Sequence, residues 1–236
     1  MAERPVFLPA KDVPGFVKEV SLNIPWASGF AAVQKKKNIK ALHDAAESRG
    51  LSPLLEVSTK SDEIAGQRLS AFHLKVESPV GPIPLECAFQ GSKVFESGGP
   101  YTDLFEMDAR EAKRDPRLQN SGALVSFEFD SYVFPLSPKT VFYDWLYLNA
   151  IYPHKEWLKE RLTKKVKYAG FTDIEFNPSK SINCQARSCA LFVALIDVQL
   201  LEDVIKSADI FIEAMKQNAP PLRKEHLKAA QLALPH

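Results

Sequence analysis

The chain has 236 residues, a length that favours one elaborated domain over two average ones. Hydrophobic residues make up 45% and charged residues 25%, as in ordinary globular proteins, and a net charge of +1 creates no overall field that would attract a membrane or a nucleic acid. Cys87, Cys184 and Cys189 form no C-x-x-C pair and have no metal-ligand spacing, so we expect reduced thiols, a cytoplasmic location and no metal or cofactor. The N-terminus lacks the apolar core of a signal peptide, and no run of about 18 apolar residues is present to span a membrane.

The first third of the chain predicts strands and one clear helix. The alternation in "FVKEVSLNIPW" favours a strand or extended arm, and "AAVQKKKNIKALHDAAESRG" predicts a helix that ends at Gly50. "LSPLLEVSTKS" is typical of a strand that runs into a loop, and "RLSAFHLKVES" also alternates as a strand would. The turn "VGPIP" then leads into a helix that begins near Leu85, with Pro84 at or just before its first position.

The remaining two thirds predict mostly helices. A polar helix in "DAREAKRDPRLQ" should end near Pro116, and "ALVSFEFDSYVFPL" predicts a strand pair. Helices are expected in "SPKTVFYDWLYLNAIY", in the basic stretch "HKEWLKERLTKKVKYAG", in the second half of residues 171–201, in "EDVIKSADIFIEAMKQ" and in "LRKEHLKAAQLAL". This order predicts a helix-rich α+β fold.

The stretch "LECAFQGSKVFESGGPYTDLF" carries the most informative pattern. Glu86, Gln90 and Lys93 follow each other at spacings of four and three, so on a helix they would fall within an arc of roughly 60°. An exposed, salt-bridged helix face is the ordinary explanation of such spacing. The Gly-Gly-Pro loop that follows permits unusual backbone angles and the close approach of a ligand, which favours a functional site.

These residues resemble the motifs of NADAR proteins, also called YbiA-like. The family pattern Glu-x-x-x-Gln-x-x-Lys-Phe stands here as Glu86, Gln90 and Lys93, with Phe95 shifted by one. Its Leu-Ser-Asn-Phe motif corresponds to "LSAF" at residues 69–72, and its Ala-Lys-Arg motif to "AKRD" at residues 112–115. Ala71 replaces the usual Asn, and "NPSKSINCQA" stands where the family has a Trp-Gly-x-Gly segment.

A longer set of segments resembles the NADAR antitoxins encoded beside DarT-type DNA ADP-ribosyltransferases. "EVSTKS", "AKRDPRL", "PKTVFYDWLY" and "FTDIEFNPSKSINCQA" join the central stretch in this likeness, which covers residues from about 5 to 200. It implies an N-terminal extension over residues 1–50, a NADAR-like catalytic domain over residues 51–200 and C-terminal helices over residues 201–236.

The resemblance implies that the protein hydrolyses the N-glycosidic bond between ADP-ribose and guanine in DNA. ADP-ribosylated DNA would be the substrate, ADP-ribose the product and a DarT-type toxin a possible partner. A carboxylate can protonate the leaving nitrogen and support the positive charge that develops at the sugar carbon, a role that fits Glu86. Lys93 would act as a nucleophile that forms a Schiff base or as a stabilising charge, and Gln90 would orient a ribose hydroxyl or water.

The remaining predicted contacts to substrate divide by chemistry. Donors for the pyrophosphate, aromatic rings for the bases and polar groups for the riboses are expected among Ser58, Lys60, Ser61, Ser70, Phe72, Gly98, Gly99, Tyr101, Asp103, Lys113, Arg114, Asp144 and Trp145. Two alternatives stay open: hydrolysis of a free ribosylated small metabolite, and an antitoxin that acts by binding the toxin directly.

Overall fold

A computed structural model describes residues 1–216, whose helices and strands confirm the predicted α+β class. The strands are β1 (Ala2–Pro9), β2 (Val17–Ile24), β3 (Leu54–Glu56), β4 (Lys75–Val76), β5 (Ile83–Pro84), β6 (Lys93–Phe95), β7 (Leu124–Phe129), β8 (Tyr132–Phe134) and β9 (Gly170–Thr172). The α-helices are α1 (Ala32–Glu47), α2 (Ile64–Arg68), α3 (Leu85–Gly91), α4 (Ala109–Ala112), α5 (Arg117–Asn120), α6 (Val141–Ile151), α7 (Lys155–Lys159), α8 (Gln185–Asp197), α9 (Leu201–Val204) and α10 (Ala208–Lys216).

The described residues divide into two compact units. The first contains residues 1–70 and 154–201, and the second contains residues 71–153 and 202–216. The division of the chain at residues 50 and 200 stays a prediction. None of the helices within residues 1–216 is long and apolar enough to cross a membrane.

The first unit is built on a four-stranded sheet in the order β2-β1-β9-β3. β1 is antiparallel to β2 and to β9, whereas β3 runs parallel to β9. Alternate residues of β2, Leu22 and Ile24, are buried, as a half-exposed strand requires. They form a core with Val6 of β1 and with Leu42 and Ala46 of α1, so the apolar face of α1 covers this sheet.

The second unit is built on an antiparallel sheet in the order β6-β7-β8. β7 and β8 form the predicted strand pair, joined by a turn in which Asp130 and Ser131 have positive φ. Phe127 stacks on Phe142 of α6, with ring centroids 4.7 Å apart. α6 is apolar on nearly all sides and buried along its length, which explains why such an aromatic sequence forms a core helix.

Four of the predicted elements differ from the observed ones. The stretch 68–78 is not one strand: α2 ends at Arg68, a turn follows, and only Lys75 and Val76 are extended. Its burial does not alternate, because the neighbours Leu69 and Ser70 are both buried and the neighbours Phe72 and His73 are both exposed.

The other differences are breaks in predicted helices. Pro116 does not end a single polar helix but precedes a second one, α5. The basic helix changes after Lys159 into a π-helical segment, Glu160–Lys165, and the stretch 202–217 contains parts of two helices, α9 and α10. The predicted helix over residues 222–234 lies outside the described residues.

Candidate active site

Helix α3 positions Glu86 and Gln90 in the second unit. Pro84 precedes the helix with an extended backbone, a position where a missing N–H costs nothing, and Glu86 follows in the first turn. The helix ends at Gly91, where a Cβ atom would lie 2.5 Å from the ring of Phe105. The Gly91 carbonyl accepts a hydrogen bond from the Tyr101 amide at 2.7 Å, so the chain after the Gly-Gly-Pro loop is fixed to the end of this helix.

Lys93 is not on the helix, and the expectation that it shares one helical face with Glu86 is wrong. α3 is only seven residues long, and Lys93 begins strand β6, where it pairs with Phe127 of β7. The last helical residue, Gly91, packs closely on Phe105, a contact that local spacing does not reveal.

Glu86, Gln90 and Lys93 nevertheless form one hydrogen-bonded group. The Gln90 side-chain amide donates to Glu86 Oε1 at 2.6 Å, and Gln90 Oε1 accepts from Lys93 Nζ at 2.6 Å. Gln90 is buried, so its amide holds both charged groups from inside the fold. The carboxylate and the amine are thus joined through a fixed neutral group.

A second lysine lies on the other side of the carboxylate. Lys113 Nζ is 3.7 Å from Glu86 Oε1. Neighbouring residues explain this contact: Cys87, which follows Glu86, and Ala112, which precedes Lys113, are both fully buried in a small core with Leu104. Packing of α4 on α3 therefore brings the Ala-Lys-Arg motif next to Glu86.

The surroundings of Lys93 favour its neutral form. Burial lowers the pKa of Lys93, the carboxylate of Glu86 opposes this shift, and the positive charge of Lys113 adds to it. The Lys93 amine also lies over the ring of Phe89, 5.0 Å from its centroid, a contact that opposes the shift because it favours the charged form. An amine with a lowered pKa is a better nucleophile near neutral pH than an ordinary lysine.

The Gly-Gly-Pro loop lies against the backbone of Lys93. Gly99 has φ +95°, and a Cβ atom there would lie 2.2 Å from the Lys93 carbonyl oxygen, so only glycine fits. The Gly98 amide donates to the Phe95 carbonyl at 3.4 Å, while the Gly99 amide has no hydrogen-bond partner within residues 1–216. The loop is therefore close to the amine, and phosphate binding by its amides stays a prediction.

Arg117 contacts both Asp103 and Tyr101, and it was not among the site residues predicted from the sequence. Arg117 donates two hydrogen bonds to the Asp103 carboxylate, at 3.2 and 2.6 Å, and also binds Asp115. Its guanidinium lies 4.5 Å from the centroid of the Tyr101 ring. These hydrogen bonds lower the pKa of Asp103. Arg117 lies three residues after Arg114, and the segment "AKRDPRL" already contained it.

Three of the predicted phosphate contacts lie in the first unit, in the turn after β3. The Ser58 hydroxyl donates to Glu56 and accepts from the Lys60 amide, at 2.7 and 3.1 Å. Ser61 is buried and accepts from the Glu63 amide at 3.2 Å. Lys60 forms no ion pair with any described residue, so it is the group of this turn that is available to an anion.

The remaining predicted residues have varied surroundings. Ser70, in the first unit, is fully buried, and its hydroxyl has no hydrogen-bond partner within the described part of the chain. In the second unit, Phe72 is 77% exposed and Arg114 is exposed. Asp144 and Trp145 are buried in α6, and the Trp145 ring packs among aromatic side chains of β7 and β8. Trp145 therefore serves the core of this unit.

A separate groove of about 760 Å³ lies in the second unit and has an acidic lining. Asp103, Glu106, Glu128 and Asp130 contribute carboxylates, and none of Glu86, Gln90 and Lys93 lines it. This charge disfavours the binding of phosphate groups in the groove. Within residues 1–216 no cluster of His, Cys, Asp and Glu has the arrangement of a metal site.

Glu86 and Gln90 lie on one helix, Gln90 bonds to Lys93 at the start of a strand, and Lys113 of the Ala-Lys-Arg motif lies beside them. These residues are the NADAR motifs, and the chain is a NADAR-domain protein. The family model of the DarT1-associated NADAR antitoxins matches residues 2–225, and the chain belongs to that family. No curated protein matches the chain.

Proposed function

We propose that this antitoxin is an enzyme that hydrolyses the bond between ADP-ribose and the exocyclic amine of guanine in DNA. The observation that carries the proposal is the continuous hydrogen-bonded group of Glu86, Gln90 and Lys93, with Lys113 beside it. It combines an acid–base carboxylate with an amine whose pKa is lowered, and such a pair suits cleavage at a sugar carbon. Membership of an antitoxin family named for an associated DarT1 toxin supports the choice of substrate and partner.

In the first step the ribose ring opens. The lone pair of the guanine nitrogen forms a double bond to C1 of the ribose, the bond from C1 to the ring oxygen breaks, and Glu86 protonates that oxygen. The product is an iminium between guanine and the open sugar. Glu86 is partly exposed, so a substrate can reach its carboxyl group.

In the second step the neutral amine of Lys93 adds to C1, its nitrogen passes a proton to the guanine nitrogen, and the bond from C1 to guanine breaks so that guanine leaves as its free amine. The carbon is then bound to Lys93 as a Schiff base. Water adds to this imine, Lys93 leaves as an amine, and the aldehyde closes again to ADP-ribose. The net change is the addition of one water and the restoration of guanine. A purely electrostatic role for Lys93 is the alternative for this step.

The proposal is tested by incubating the protein with an oligonucleotide that carries one ADP-ribosyl guanine, and separately with a free phosphorylated ribosylamine. We expect free ADP-ribose from the DNA at a rate far above that of the small metabolite. Preferential consumption of the metabolite would assign the same chemistry to a different substrate class. Neutralisation of the toxin without cleavage of either compound would show that direct toxin binding suffices.

A further inference from the structure

The acidic groove of the second unit is a surface that the proposed chemistry does not use. Three segments line its cavity of about 760 Å³: residues 79–80, the stretch 100–106 that follows the Gly-Gly pair, and residues 128–133 around the turn between β7 and β8. Every residue of this lining belongs to the second unit. The cavity has the volume of a ligand-binding cleft, so its chemistry indicates what it can hold.

Three of the four carboxylates in the groove lack a cationic partner. Glu106, Glu128 and Asp130 form no ion pair with any residue of the described range 1–216. Asp103 shows which group such a carboxylate binds, because the guanidinium of Arg117 donates two hydrogen bonds to it at 3.2 and 2.6 Å. The chain as a whole has a net charge of +1, so the negative charge is a local property of this groove.

Exposed apolar side chains lie beside these carboxylates. Val80 and Val133 line the groove and are 64% and 61% exposed. Val133 pairs with Glu128 across β7 and β8, so an apolar side chain and a carboxylate are neighbours on the same face of the sheet. Lysine and arginine side chains suit this combination, because each has an apolar stem and a charged head.

The groove is held together by aromatic contacts beneath it. Phe105 and Phe129 both line it, and their rings pack edge to face with centroids 5.8 Å apart. Glu106 follows the first ring and Asp130 follows the second, so this contact brings two distant acidic segments to one groove. A preformed arrangement of carboxylates loses little conformational freedom when a partner binds.

We propose that the groove docks a lysine- and arginine-rich segment of the DNA-binding surface of the DarT1 toxin with which this antitoxin family is associated. A toxin that modifies DNA has to bind the phosphate backbone with lysine and arginine side chains, and these cations complement the groove. The carboxylates take the place of backbone phosphates, so the bound antitoxin excludes DNA from the toxin. The inference goes beyond the proposed function, because hydrolysis at Glu86 reverses a modification whereas docking prevents it.

The test measures the calorimetric Kd of the purified toxin for the full-length antitoxin in the absence of DNA. The triple variant Glu106→Gln, Glu128→Gln and Asp130→Asn should raise Kd about tenfold, the loss expected when three exposed charge pairs of ordinary strength are removed. Added salt should weaken the wild-type complex more than the complex of this variant. An unmodified DNA duplex should displace the wild-type antitoxin from the toxin.

The matched control is the triple variant Asp12→Asn, Glu19→Gln and Glu47→Gln. It removes the same charge from exposed positions of the first unit and should leave Kd unchanged. Both triple variants should release ADP-ribose from modified DNA at the wild-type rate, because neither alters the group of Glu86, Gln90 and Lys93.

Three results would overturn the inference: no complex between toxin and wild-type antitoxin, an equal loss of affinity in both triple variants, or a complex that contains toxin, antitoxin and DNA together. Binding of an oligolysine peptide in the groove without binding of the toxin would also refute the choice of partner. If the groove variant fails to fold, the competition between DNA and the wild-type antitoxin decides alone. Docking without cleavage of modified DNA would refute the proposed function only, and cleavage without docking would refute this inference only.

Discussion

Replacing Glu86 by glutamine should lower the rate of hydrolysis strongly and the free energy of unfolding only slightly. In the wild type the Gln90 side-chain amide donates to Glu86 Oε1 at 2.6 Å. A glutamine at position 86 keeps an oxygen that can accept this hydrogen bond, but it lacks the carboxyl proton and the charge. We expect the rate of ADP-ribose release to fall by roughly 100- to 10,000-fold, the usual loss when a positioned acid–base group is removed. This range corresponds to about 3–5 kcal/mol in the activation free energy.

The loss of stability should be much smaller. Glu86 has a side chain that is 30% exposed, and its ion pair with Lys113 spans 3.7 Å, so the pair contributes about 0.2–1 kcal/mol. A carboxylate in the first helical turn adds roughly 0.3–1 kcal/mol. The free energy of unfolding should therefore change by about 1–2 kcal/mol at most, too little to explain the expected loss of rate.

The assay is single-turnover release of ADP-ribose from a modified oligonucleotide, with urea unfolding measured on the same samples. Glu111→Gln makes the identical change at an exposed position of α4, two residues before Lys113, and should retain the wild-type rate. A folded Glu86→Gln protein with a rate within a few-fold of wild type would show that the carboxylate has no chemical role. An equal loss in Glu111→Gln would point to a general electrostatic effect.

Four further predictions concern Lys93, Lys113, Glu56 and the removal of metal ions. Borohydride added during turnover should fix ADP-ribose onto Lys93, as located by mass spectrometry, and Lys93→Arg should be inactive; an active arginine variant would exclude the Schiff base. Lys113→Gln should move the limb of the pH–rate profile that reports deprotonation of Lys93 to higher pH, because the positive charge of Lys113 lowers the pKa of Lys93; an unmoved limb would contradict this coupling. Glu56→Gln should flatten the pH dependence of the unfolding free energy. Burial raises the pKa of Glu56, which stabilises the wild-type protein fully below about pH 4.5, and this stabilisation is lost as the pH rises through about 8. If the wild type and the variant show the same pH dependence in urea denaturation, the raised pKa of Glu56 is refuted. Chelation should leave activity unchanged, and loss that one specific divalent ion restores would reveal a metal site.

Strong local patterns predicted much of the fold. The helix around Leu42 and the strand that contains Leu22 are predictable because their apolar residues repeat with one clear period, whereas the helix around Phe142 is predictable because its long apolar and aromatic run suits a buried helix. The stretch 68–78 was misjudged because its polar and apolar residues alternate by chance. Its turn is defined by backbone hydrogen bonds from Ser70 to Gln67 and from Leu74 to Ala71, which side-chain patterns do not report.

The sequence predicts which residues belong to the candidate site better than it predicts their arrangement. Spacing identified Glu86, Gln90 and Lys93, and the family motifs added Lys113. Lys93 lies on a strand through its pairing with Phe127, a residue thirty-four positions away (127 − 93) that no short sequence window contains. The buried carboxylate of Glu56 was missed as well, although a lone carboxylate between buried Leu55 and Val57 was a usable signal.

The fate of the DNA strand tests the central claim most directly. An oligonucleotide with one ADP-ribosyl guanine, incubated with the wild-type protein, is analysed by intact-mass spectrometry and by digestion to nucleosides. Cleavage at C1 of the ribose predicts a strand that loses one ADP-ribosyl group and regains ordinary deoxyguanosine, with Glu86→Gln leaving the modified strand in place. A strand that keeps its modification, or one that loses the guanine as well and carries an abasic site, would contradict the account.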